Sequence, residues 1–176
     1  MKQLLFFLLI IISLTATSQT QSSPVISSAD GYAIIPTAAV QPDKAHIYKV
    51  AWDGTKSAKS PGQLLPVLNN AGSELNAFAV SKIPISHAKF VIAFHGDAVN
   101  GILKNDIYKQ KFGVDNPNIE VLKEMKKAGV KLYVCGQYLL GEKIDFKSIT
   151  EEVSIASDAL IVLMTYQNDG YALMSF

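Results

Sequence analysis

Arginine is missing from this chain: all 16 of its Lys+Arg residues are lysine. Lysine meets an anion as a point charge and lacks the planar fork that reads phosphates and base edges in pairs. The formal net charge is only +1, so no strong field steers the protein to a polyanion, and nucleic acid is not expected as a partner. Cysteine is nearly absent as well. Cys135 stands alone and cannot close an internal disulfide. His46, His87 and His95 show no ligand spacing, and one thiolate cannot build a cage, so no metal is expected. No Gly-x-Gly-x-x-Gly or Walker lysine motif is present, and no Gly-x-Ser-x-Gly elbow. Neither a nucleotide cofactor nor a serine hydrolase site is therefore expected. The 15 acidic residues are scattered and pick out no catalytic pair.

What is present begins with an export pattern. Met1-Lys2 is a short basic start, Leu4 to Leu14 is almost wholly apolar, and Thr15-Ala16-Thr17-Ser18 is small and polar. The apolar core is too short for a stable transmembrane helix and reads as a signal peptide over residues 1–18, cleaved near Ser18. No cysteine follows it, which excludes a lipoprotein anchor. The expected location is periplasmic or secreted, with no stable membrane anchor after cleavage. Gln19 to Asp30 is rich in Ser, Thr and Gln, and residues 19–44 read as a flexible leader and arm.

The remaining residues, 45–176, read as one α/β domain; 49% hydrophobic content is enough for a sizeable core. His46 to Trp52 alternates as a strand that Asp53-Gly54 ends. Ser60-Pro61 can open a helix, with Leu64, Leu68, Ala71, Leu75 and Phe78 as its buried stripe and Gly72 as a weak point. Lys89 to Phe94 is a continuous apolar strand ending at His95-Gly96-Asp97, with Asp97 placed to cap the next helical segment. Val99 to Phe112 reads as a helical excursion. Asn116-Pro117 opens another helix, striped by Ile119, Leu122 and Met125 and ended by Gly129. A strand then runs to Cys135. Phe146 to Ile155 reads as a short helix, Ala159 to Met164 as an apolar strand, and Tyr171 to Phe176 as the last strand. Strands alternating with helices predict a three-layer α/β/α sandwich on a mainly parallel sheet of about five strands.

In such a sheet, chemistry sits beyond the carboxyl ends of the strands. Cys135 occupies such an end, followed by Gly136 and a helix start whose N–H groups favour thiolate over thiol. A thiolate there can accept and pass on sulfur, or form a mixed disulfide. The other reading is a small buried hydrophobe, since free cysteine is among the most buried residue types. His95 ends another strand. It is either a base within reach of the thiol or a helix cap.

Four pieces in order carry a resemblance: Phe94-His95-Gly96-Asp97, Asp115-Asn116-Pro117-Asn118, Gly129 to Gln137, and Gly170-Tyr171-Ala172-Leu173-Met174. Together, from about Tyr48 to Phe176, they make the chain resemble the DsrE/DsrF-like family, and its exported members in particular. The resemblance implies a Rossmann-like sandwich assembled into homo-oligomers. It also implies a cysteine after a strand, here Cys135, that carries sulfur as a persulfide. His95, Gly96, Asn118, Gly136 and Gln137 would line the same end of the sheet and orient a small sulfur-containing ligand or anion, with the amides of Gly136 and Gln137 on the charge. Relay members commonly carry Arg-Arg-Gly after the cysteine; this chain has Leu139-Leu140-Gly141. The alternative within the same fold is a non-catalytic ligand-binding or assembly module.

Overall fold

Strand residues that alternate between two apolar faces build a sheet that must be covered on both sides. In the computed structural model, which describes residues 24–175, five strands do this. They are β1 (Tyr48–Gly54), β2 (Ala88–Phe94), β3 (Lys131–Cys135), β4 (Ser154–Ala156) and β5 (Ala172–Ser175). The sheet order is β4-β3-β2-β1-β5, and every neighbouring pair is parallel. The predicted export segment lies outside the described residues.

One face carries Val50, Trp52, Phe90, Ile92, Phe94, Leu132 and Val134. It is covered by α1 (Pro66–Val80) and α3 (Asn118–Lys127), which touch each other. Short α2 (Asn105–Phe112) and α4 (Gly136–Gly141) complete the connections. The opposite face carries Ala51, Val91, Ala93 and Cys135 and is covered by α5 (Ala159–Asn168), which contacts β1, β2 and β3. The result is the three-layer sandwich on a parallel sheet expected from the alternation of strands and helices.

Several elements differ from the sequence expectation, each for a physical reason. Ala159 to Met164 forms a helix, not a strand. A continuous apolar run has no period that separates the two, and the Asp158 carboxylate decides it by accepting the Leu160 N–H at 2.7 Å. Phe146 to Ile155 is not one helix. A 3₁₀ turn at Phe146–Ser148 is followed by edge strand β4, which supplies the strand missing at Ala159. Helix α1 starts at Pro66, not at Pro61. The Leu65 N–H is held by the buried Asn118 side chain at 2.8 Å, and the Ser60 carbonyl closes a separate turn with Gln63.

The arm is tied down between Ile26 and Asp30, where Ser27 also bonds the Glu124 carboxylate and Asp30 the Asn69 side chain. Ile26 is fully buried, and the Asn76 amide both accepts its N–H at 2.9 Å and donates to its carbonyl at 3.0 Å. Gly72, which the sequence marks only as a weakness in α1, admits this segment: a Cβ there would stand 2.6 Å from that of Ala29.

Candidate functional site at the carboxyl strand ends

Three consecutive strands bring three polar side chains to one end of the α5 face. Asp53, near the end of β1, is in register with Ala93 on β2. His95 lies two residues past Ala93 and keeps an extended backbone (φ −154°, ψ −179°), with its N–H donating to the Gly54 carbonyl at 3.0 Å. It therefore stays on the same face as Asp53. Its Nε2 and the Asp53 Oδ1 are 2.7 Å apart, with the two side chains 26% and 20% exposed. Phe94 pairs with Val134, so Cys135 stands level with His95 on the next strand. A carboxylate only accepts, so the contact puts the ring proton on Nε2. The neutral ring then has Nδ1 as an acceptor, the arrangement a general base requires.

Cys135 itself is 7% exposed and packs with Ala93, Ala159 and Val162 beneath α5. It occupies the N-cap position of α4, and its Sγ accepts the Tyr138 N–H at 3.4 Å. Among the described residues no hydrogen bond joins Cys135 to His95. Gly136 opens α4 where nothing larger fits, because a Cβ would meet the Ala156 carbonyl oxygen at 2.7 Å. That contact keeps β4 close beside the thiol. The Gln137 N–H donates to the Ser157 carbonyl at 3.2 Å, and the Gln137 side chain is exposed. The amide that reaches the sulfur is that of Tyr138, not those of Gly136 and Gln137 as expected.

The Tyr138 side chain is half-buried. Burial pushes its phenol pKa up, and the negative charges of Glu142 and Asp97 add to the effect. The hydroxyl thus remains a donor across the physiological range. Gly96 turns the chain out of β2 with φ +57°, a conformation that suits a residue without Cβ. Asp97, expected as a cap, makes no side-chain capping bond in the 3₁₀ turn Gly96–Ile102. Asn118 sits at the N-terminus of α3, which packs on α1 and covers the other face of the sheet. Its side chain accepts from Leu65 N–H and donates to the Asn116 Oδ1 at 2.9 Å. Its hydrogen-bonding capacity is committed to tying α1 to α3. Helix α3 begins one residue later than expected, with Pro117 at its N-cap, and the Asn116 side chain accepts the Asn118 N–H at 3.0 Å from just before it.

Two participants escape a reading of the sequence. Asp53 reads there as a strand terminator, and Tyr138 as part of an ordinary helix start. Strand alternation holds the signal for Asp53, since it shares a face with Ala51; its meeting with His95 depends on the β1–β2 register. Among the described residues, no group of three or more His, Cys, Asp or Glu could hold a metal ion.

Comparison with known proteins agrees with this geometry at the level of fold and family. No curated protein matches the chain. Among solved structures it is similar to the protein of unknown function MTH1491 from Methanobacterium thermoautotrophicum. That match has a TM-score of 0.55 at 18% identity, over 73% of this chain and 99% of the other. At that identity the likeness concerns the fold. The family model of the DsrE/DsrF-like family matches residues 48–176, which span the whole sheet and the Asp53–His95–Cys135 end. The chain belongs to the DsrE/DsrF-like family.

Proposed function

We propose that this is an exported sulfur-handling protein in which Cys135 takes up a sulfane sulfur atom and passes it on. The observation that carries this reading is the alignment of Asp53, His95 and Cys135 on adjacent strand ends, with the Tyr138 N–H already on the sulfur. These groups supply the chemistry. His95 Nδ1 accepts the thiol proton, and the resulting thiolate attacks the outer sulfur of a persulfide R–S–SH. The S–S bond of the donor breaks, R–S⁻ leaves with its electron pair and takes the proton from His95, and Cys135 holds the outer sulfur as Cys–S–SH. No electrons are gained or lost overall. Asp53 stabilises the imidazolium formed in between, and the Tyr138 amide stabilises the sulfur anion.

The test is intact mass after exposure to polysulfide. Gain of one sulfur atom, removable by a reductant and absent from Cys135→Ser, is the expected result. No gain, or the same gain in the variant, would overturn the reading. The low exposure of Cys135 favours a second reading, a non-catalytic module whose thiol is packing. Under that reading the thiol of the native protein reacts with iodoacetamide only after unfolding.

A homo-oligomer belongs to the same proposal. Leu160, Ile161 and Met164 on the outer side of α5 are between 51% and 59% exposed. Leu173, paired with Ala51, extends this apolar strip on the same side of the sheet. A second copy covering the strip would also enclose the Cys135 side of the fold.

A further inference from the structure

We propose that a cleft between α1 and the β1–β5 edge binds a small organic cation, an alkyl- or quaternary ammonium, with aromatic walls against its apolar groups and Glu74 beside its charge. The cleft measures about 500 Å³, a size suited to a small molecule. It lies on the α1 face, whereas Cys135 lies on the α5 face, so it is separate from the sulfur site.

Its walls are Tyr48, Trp52, Phe78 and Phe90, with Met174 of β5 on the open side. Register explains why they converge: Trp52 stands between Ile92 of β2 and Met174 of β5, and α1 brings Phe78 across them. The rings pack edge to face, Tyr48 with Phe78 at 5.0 Å and 62°, Trp52 with Phe90 at 5.7 Å and 67°, Phe78 with Phe90 at 6.0 Å and 69°. Packed this way, Trp52, Phe78 and Phe90 stay nearly buried and show the cleft only their apolar margins, while half-buried Tyr48 and exposed Met174 supply its more open wall.

The charge in the cleft has one sign. Glu74 lines it and no lysine does. Among the described residues, no hydrogen bond or ion pair reaches the Glu74 carboxylate. Although the residue is exposed overall, desolvation of the carboxyl against this wall raises its pKa above 4.5. A carboxylate left without a partner beside apolar walls is stabilised by a cation that brings its own apolar groups. A neutral apolar ligand would leave that charge unmet, and an anion would be repelled by it.

Trp52 is the single tryptophan of the chain and lines the cleft, so its fluorescence reports on occupancy directly. The experiment titrates the full chain with choline and, in parallel, with its neutral isostere 3,3-dimethyl-1-butanol at constant ionic strength. Expected is a saturable change in emission with choline, at least tenfold weaker for the isostere. Glu74→Gln should weaken choline binding by a similar factor and leave the isostere unaffected; the variant site is exposed, and an unchanged far-UV spectrum verifies its fold. Three results would overturn the proposal: no saturable change, equal binding of the two probes, or unchanged choline affinity in Glu74→Gln. An emission change that follows protein concentration and not choline would also overturn it, because a second copy would then fill the cleft. Cys135→Ser should bind choline as the parent does, which separates this result from that of the sulfur test.

Discussion

At the residue scale the central relation is that between Asp53 and His95. A carboxylate 2.7 Å from Nε2 selects one tautomer of the ring and holds its orientation. Replacing Asp53 by Asn removes the charge that stabilises the imidazolium while leaving a similar shape. Sulfur loading of Cys135 in Asp53→Asn should slow by roughly tenfold or more, with its pH profile altered and the urea midpoint nearly unchanged. Asp53→Glu should recover part of the rate. A purely structural pair would instead shift the midpoint and leave the profile alone. Glu74 supplies a pH dependence. Its folded-state pKa is raised by burial, so the folded protein binds a proton more tightly than the unfolded chain. Its contribution to stability is fully present below 4.5 and is lost as pH rises through the raised folded value. Glu74→Gln should remove that decline, making the variant more stable at neutral pH by less than about 1 kcal/mol given solvent screening. Chemical denaturation across this pH range would check the sign.

At the scale of elements, α5 is where local chemistry overrides hydrophobic pattern. Its sequence is apolar on every side, and periodicity cannot distinguish it from a buried strand. The Asp158 cap and the need to cover Ala51, Val91 and Ala93 make it a helix. Asp158→Ala leaves the Leu160 N–H without its acceptor and should cost about 1 kcal/mol, read as a lower urea midpoint. Because the neighbouring Ser157 carbonyl accepts the Gln137 N–H beside the thiol, the same variant should speed alkylation of Cys135 in the native state. Protection of the thiol unchanged by the substitution would separate α5 from the site. Helix α3 shows the reverse case, where sequence signals placed the helix, although Val121 takes the fully buried place expected of Ile119. Asn116-Pro117 announces its start, and Ile119, Leu122 and Met125 its inner stripe; Leu122 and Met125 are fully buried, while Ile119 is only partly so.

At the scale of the whole molecule, the two faces of the sheet are covered unequally. The α1 face has two helices and the Ile26 anchor, whereas the α5 face has a single helix whose outer side is apolar. The proposed homo-oligomer would cover this apolar strip. Ile161→Lys should therefore shift the sedimentation profile toward monomer without lowering the midpoint of unfolding. If the parent chain is already monomeric at micromolar concentration, or the variant keeps the parent's assembly, the second copy belongs elsewhere.

The sequence by itself determined the layered α/β class, the strands β1, β2, β3 and β5, the caps around α3 and the position of Cys135 at a strand end. These depend on near neighbours: alternation, turn residues and N-caps act within a few residues. Tertiary structure decided what depends on register and on the packing of distant segments. It joined Asp53 to His95 across 42 positions of sequence, committed Asn118 to Leu65, tied the Gln137 N–H to the Ser157 carbonyl, and laid α5 over Ala51, Val91 and Ala93. Strand pairing shifted by one residue would place Asp53 and His95 on opposite faces, and no local property of either residue states which register the sheet adopts.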